Sequence, residues 1–140
     1  MSEKSTTLDP LEAIRENIEA LNRRDPLAAA VIWSPDGLFD LSPLGVGVFE
    51  GRQAIRDFFE DWLAPYSDFK LELSELRDLG NGVTFHAVRQ RGQPARGTGV
   101  VELHHAYPAT WAHGLVEWAT VHTDIDEGRA AAERLAEERG

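Results

Sequence analysis

Leu11, Ile14, Ile18 and Leu21 recur at helical spacing, so a helix running to about Arg24 has one apolar face. Asp9-Pro10-Leu11-Glu12 supplies its start: Asp caps, Pro takes the first helical position, and Glu reaches back to the cap. Asp25-Pro26 repeats the signal and opens a short second helix from Leu27 to Trp33, stopped ahead of Pro35. A short apolar strand, Gly37-Leu38-Phe39-Asp40, then runs into a Gly/Pro-rich loop, Leu41 to Val48. A third helix, Arg52 to Leu63, buries Ile55, Phe58 or Phe59, and Trp62, and ends at Pro65.

From there the apolar period changes to two. Phe69, Leu71 and Leu73 alternate, and Gly80-Asn81-Gly82 turns the chain into a strand from Val83 to Arg91. A longer turn, Gly92 to Gly99, leads to a strand from Val100 to about Ala112, and His113-Gly114 returns it through Leu115 to about Thr123. A last helix, Glu127 to Glu138, carries alternating charges and a narrow apolar stripe. Three helices in the N-terminal half, a run of antiparallel strands and a closing helix give an α+β layer architecture. A strongly curved antiparallel sheet with those three helices on its concave side makes a cone.

The length of 140 residues and 42% apolar content suit a single domain over 1–140 with a real core, residues 1–8 being polar and expected to be flexible. A formal net charge of −10 disfavours nucleic acid and anionic membrane surfaces and leaves small molecules or proteins as partners. Without cysteine there is no disulfide, thiol nucleophile or cysteine-ligated zinc. His104 and His105 are adjacent on a strand and point to opposite faces, so no metal site is expected. With neither an apolar leader nor a membrane-length apolar run, the expected location is cytoplasmic.

The order of elements, with Leu21 to Ala30, Phe49-Glu50-Gly51-Arg52-Gln53-Ala54-Ile55-Arg56-Asp57-Phe58-Phe59 and Gly114-Leu115-Val116-Glu117-Trp118, resembles the nuclear-transport-factor-2-like superfamily. Within it the chain is most similar to SnoaL-like and ketosteroid-isomerase-like proteins. The resemblance implies a hydrophobic cone, no cofactor, and Asp40 at the position of the catalytic base. Read on its own, Asp40 is a strand-end carboxylate that caps the backbone of the Ser42-Pro43 loop. Asn17 stands where ketosteroid isomerases have their oxyanion-binding tyrosine, and Ala106 where they have a protonated acid. Lacking both donors, the chain is not an ordinary ketosteroid isomerase.

Register follows from the turns. Pairing Ala112 with Leu115 sets Ala106 opposite Val121, and pairing Arg91 with Val100 sets Arg89 opposite Glu102. One face then carries Arg89, Arg91, Glu102, His104, Ala106, Ala119 and Val121; the other carries His86, Val88, Leu103, His105, Tyr107, Trp118, Thr120 and His122. Hydrophobicity alone would turn the second face toward the helices. The resemblance turns the first face inward, because Ala106 falls at a pocket position, and leaves the second, apolar face convex. Such a face predicts a homodimer through Leu103, His105, Tyr107, Trp118, Thr120 and His122.

On this reading the candidate catalytic residues are Asp40 as base, with His104 or the Arg89–Glu102 pair as proton partner. A carboxylate-arginine-carboxylate set would look like limonene-epoxide-hydrolase-like proteins, although Val121 stands where one acid would be. Asn17, Trp33, Trp62, Tyr66, Arg91, Ala106 and Val121 are the candidate ligand contacts, suited to a small apolar or cyclic molecule. Two functions are expected as alternatives: isomerase, cyclase or hydratase/epoxide-hydrolase chemistry without a cofactor, or a non-catalytic ligand-binding or dimerisation module.

Overall fold

The structure, a computed structural model, describes residues 9–97 and 99–140. The expectation for residues 1–8 lies outside the described residues. In chain order the elements are α1 (Pro10–Asn22), α2 (Pro26–Ala30), β1 (Trp33–Asp40), a 3-10 turn (Ser42–Leu44), β2 (Val48–Glu50), α3 (Arg52–Leu63), β3 (Tyr66–Gly80), β4 (Val83–Pro94), β5 (Val101–Ala112), β6 (Leu115–Thr120) and α4 (Ile125–Arg139).

The caps act as their residue types dictate. Asp9 accepts from the Leu11 N–H at 2.9 Å, and Asp25 from the Ala28 N–H at 3.1 Å, each with Pro at the first helical position. Helix α2 ends at Ala30, sooner than expected, and Trp33 already opens β1. Pro35 is accommodated in β1 because the register shifts between Trp33 and Leu38. Asn81 takes φ 57° in the β3–β4 turn, the left-handed backbone its sequence signals.

The six strands run in the order β2-β1-β6-β5-β4-β3. All neighbours are antiparallel except β1 and β6, which are parallel, with Asp40 opposite Thr120 and Phe39 opposite Ala119. Between β4 and β5, Arg89 lies opposite His104 rather than Glu102, a slip of two that leaves every side chain on its expected face. Between β5 and β6 an extra residue, Glu117, is inserted: Trp111 pairs with Val116, yet Thr110 pairs with Trp118, and Ala106 bridges to His122 instead of Val121. This bulge exchanges the faces of everything beyond it on β6.

Apolar burial occurs on both faces of the sheet. On the concave face α1, α2 and α3 close over a core that includes Ile14, Trp33, Phe39, Ile55, Phe59, Val88 and Val121. On the convex face α4 covers Val83, Phe85, Ala87 and Ala106 with Ala132 and Ala136. Gly128 permits that approach, since a Cβ there would lie 2.8 Å from the Ala106 Cβ. Arg129 donates to both carboxylate oxygens of Glu75, at 2.6 and 2.9 Å, and Asn81 Nδ2 donates to the Ala136 carbonyl at 2.6 Å. Among the described residues no helix is long and apolar enough to cross a membrane.

Candidate functional site

Between the concave face and the helices lies a cavity of about 470 Å³. One wall is aromatic and aliphatic: α3 contributes Phe58, Phe59 and Trp62, β1 contributes Trp33 and Phe39, and α1 contributes Ile14, Ile18 and Leu21. Phe58 stacks on Trp62 with centroids 5.9 Å apart, and Phe39 meets the Phe58 ring edge-on at 6.0 Å. The opposite wall is the inward set of β4 and β5: His86, Val88, Gln90, Leu103, His105 and Tyr107. The β1–β2 loop closes one side with Leu41, Leu44 and Val46. Val46 and Leu103 line the cavity and are still 49% and 40% exposed, which marks where it opens.

Among the described residues, no Asp, Glu, Lys or Arg lines the cavity. In a chain that is 27% charged, this makes the cavity an uncharged compartment. Its titratable groups are His86, His105, Tyr66 and Tyr107. His86 and Tyr107 are cross-strand partners whose rings stack 5.0 Å apart at 23°. Burial alone pushes His86 down to about 4, so its imidazole is neutral at physiological pH. Burial also holds the Tyr107 phenol above its ordinary value, and so protonated. His105 is lowered by burial and then by the neighbouring His104. The Nδ1 atoms of both cavity histidines and Gln90 Oε1 are buried without a hydrogen-bond partner among the described residues. Gln90 Nε2 donates to the Tyr66 hydroxyl at 3.2 Å, and Asn17 Nδ2 to the Ala29 carbonyl at 2.7 Å.

The lining reverses the expected orientation of β4 and β5. Hydrophobicity, rather than the position inferred from resemblance, decides which face turns inward: His86, Val88, Leu103, His105 and Tyr107 face the helices. Leu103, His105 and Tyr107 are therefore not on a convex dimer face; Trp118, Thr120 and His122, reversed by the Glu117 bulge, lie on the outer side. Arg89, Glu102 and His104 sit together there as well. Arg89 donates to Glu72 at 2.5 Å and to Glu102 at 3.5 Å, and His104 Nε2 lies 3.6 Å from Glu102. These side chains are more than a third exposed, the setting of a weak surface pair. Arg91 is exposed beside them, and Ala106 is covered by α4.

Of the remaining expected contacts, Asn17, Trp33, Trp62 and Tyr66 line the cavity, whereas Val121 is buried in the concave core without lining it. Asp40 does not line it either. Its carboxylate accepts from the Ser42 N–H at 3.0 Å and the Ser42 hydroxyl at 2.6 Å, and these bonds hold it below the usual carboxylate range. Among the described residues, no group of His, Asp and Glu converges as a metal site requires. His86, His105 and Tyr107, expected on the convex face, line the cavity together with Gln90, which no sequence pattern singled out; the signal for the three was the more apolar parity of β4 and β5.

Residues 14–132 match the SnoaL-like domain. The chain belongs to the SnoaL-like family. Its nuclear-transport-factor-2-like cone is shared by solved structures of low identity, which show the fold alone. A hypothetical protein with a ketosteroid-isomerase-like fold from Catenulispora acidiphila, solved with trimethylamine, matches with a TM-score of 0.72 at 12% identity, over 89% of this chain and 94% of that one. TerC co-crystallised with polyporic acid matches with a TM-score of 0.68 at 18% identity, over 90% and 96%. The epoxide hydrolase/cyclase-like enzyme SalBIII, of pyran ring formation in salinomycin, matches with a TM-score of 0.67 at 18% identity, over 82% and 90%. No curated protein matches the chain.

Proposed function

We propose that this SnoaL-like protein binds an uncharged, ring-containing small molecule and performs cofactor-independent acid/base chemistry on it, of the isomerase, cyclase or hydratase kind. The observation that carries this reading is the uncharged lining around His86, an imidazole kept neutral by burial. His86 takes a proton from the ligand, and Tyr107, its stacked partner, supplies a hydrogen bond to an oxygen that gains charge. A charged ligand would lose its hydration with no counter-charge in the wall, so the site selects against it. The binding of polyporic acid by TerC and the cyclase-like description of SalBIII support a ring-sized ligand in this fold. Asp40 serves in this proposal to shape the loop that carries Leu41, Leu44 and Val46.

The test is a ligand series followed by tryptophan emission from Trp33, Trp62 and Trp111, all of which line the cavity. β-Naphthol is expected to bind at least about tenfold more tightly than naphthoate, its charged counterpart. Equal binding of the two, or none, would remove the uncharged-ligand reading. A second reading, a carrier without chemistry, is favoured by one observation: among the described residues no carboxylate lines the cavity. His86→Phe and the wild type together separate the two, because loss of turnover with retained binding in the variant supports catalysis by His86, and binding without any turnover in the wild type supports the carrier.

We also propose that the protein works as two copies. The support is aliphatic surface where the cavity opens, with Val46, Val101 and Leu103 all exposed.

A further inference from the structure

Strand β5 is paired along one edge and only half paired along the other. Toward β4 its pairing runs from Val101 opposite Gly92 to Thr110 opposite Val83. Toward β6 it begins at Ala106, whose N–H and C=O exchange hydrogen bonds with His122 at 2.9 and 2.8 Å. Groups on one strand edge alternate, so the N–H and C=O of Glu102 and His104 point the same way as those of Ala106. Among the described residues no strand pairs with them. The result is a short open edge with apolar Val101 and Leu103 on the concave side and Glu102 and His104 on the convex side, an arrangement that templates another strand.

We propose that a second copy of this chain fills that edge by antiparallel pairing of residues 101–105 about a two-fold axis at Leu103. This names the interface of the two-copy reading above and rests on it. The register is set by the chain itself. Centred on Leu103, Glu102 lies opposite the partner's His104, and His104 opposite the partner's Glu102, so unlike groups meet twice and each pairing exchanges two backbone hydrogen bonds. Centring on Glu102 would oppose two carboxylates. Centring on His104 would call on Ala106, already bonded to His122. The ribbon therefore ends at His105.

The pairing completes the cavity. Leu103 lines it and is 40% exposed in the single copy. In the pair it packs on the partner's Leu103, and Val101 of each copy comes beside His105 of the other, placing aliphatic surface from the partner over the opening. The surface is isologous, as a two-fold dimer requires.

The absence of cysteine makes the test direct. Cα atoms facing each other in a non-hydrogen-bonded antiparallel pair lie about 4.5 Å apart, within disulfide reach. Under mild oxidation the full-length Leu103→Cys variant is expected to cross-link to a covalent dimer, whereas Val101→Cys, opposite the partner's His105, is not. By sedimentation, the wild type is expected to be a dimer. Leu103→Asp, which places two carboxylates on the axis, is expected to weaken it at least about a hundredfold. Glu102→Lys should weaken it, and Glu102→Lys with His104→Glu should restore it. A monomeric wild type overturns both the two-copy reading and this interface. A dimer that neither cross-links through Leu103→Cys nor responds to Leu103→Asp overturns the interface alone and moves the contact to the outer face around Trp118.

Discussion

Phe39 and Asp40, consecutive on β1, leave the sheet on opposite sides: Phe39 enters the cavity, and Asp40 turns away from it to hold Ser42. Alternation along a strand makes the two placements exclusive. Ala119, opposite Phe39, also lines the cavity, and Thr120, opposite Asp40, donates its hydroxyl to the Asp40 carbonyl at 2.9 Å. The strand end therefore anchors a loop, and the loop's Leu41, Leu44 and Val46 form part of the wall.

Asp40→Asn accordingly separates anchoring from catalysis. An amide oxygen still accepts from the Ser42 N–H, so ligand affinity should stay within about twofold of wild type, and the urea midpoint should fall slightly. Titration of cavity fluorescence and urea denaturation check both values. Loss of turnover with affinity and stability unchanged would return Asp40 to the role of base.

His86 sets a pH dependence of stability. Its imidazole titrates near 6.5 in the unfolded chain and at about 4 in the folded protein, so the unfolded state binds more protons between those values. Stability is full above 6.5 and is lost as pH falls toward 4, by about 3 kcal/mol from this group. His86→Phe removes that contribution. Denaturation midpoints across this window should slope less steeply in the variant, and parallel profiles would show that His86 is not the group responsible.

Much of this layout is legible before folding. Asp9-Pro10, Asp25-Pro26 and Gly80-Asn81-Gly82 mark element ends because caps and left-handed turns are local chemistry. Glu117 is different: a bulge has no periodic signature, and one extra residue moves Ala119 to the cavity and Trp118 to the outside. The parallel β1–β6 pair joins residues about 80 apart, beyond any local signal, as the Asp40–Thr120 bond shows. The histidine wall was legible in the apolar parity of β4 and β5, and positional resemblance at Ala106 pointed the other way.

Gly92 gives Tyr66 its seat. A Cβ there would lie 2.6 and 2.7 Å from two Tyr66 ring carbons. Gly92→Ala should rotate the ring, break its hydrogen bond from Gln90, and cost about 1 to 3 kcal/mol. Since Tyr66 and Gln90 both line the cavity, ligand affinity should fall with stability. Thermal denaturation alongside fluorescence titration reads both, and an unperturbed variant would mean that Tyr66 has room the structure does not show.

The convex core makes the last prediction a two-residue one. Gly128 on α4 and Ala106 on β5 are so close that a Cβ on Gly128 would lie 2.8 Å from the Ala106 Cβ, with the His122 Cβ and a Phe85 ring carbon each at 3.3 Å. Gly128→Ala gains helix propensity of roughly 1 kcal/mol but must push α4 outward, at an overpacking cost of about 1 to 3 kcal/mol. The net effect should be destabilising, because α4 is also pinned by Arg129 on Glu75 and Asn81 on the Ala136 carbonyl and has little freedom to slide. Ala106→Gly alone should destabilise by loosening the strand. Combined, Gly128→Ala and Ala106→Gly exchange the methyl group across one contact, so the double variant should be more stable than the sum of the single effects by about 1 kcal/mol or more. Chemical denaturation of the four proteins measures that coupling. Strict additivity would mean that α4 does not pack against β5 through this pair, and the convex face would then be open to other partners.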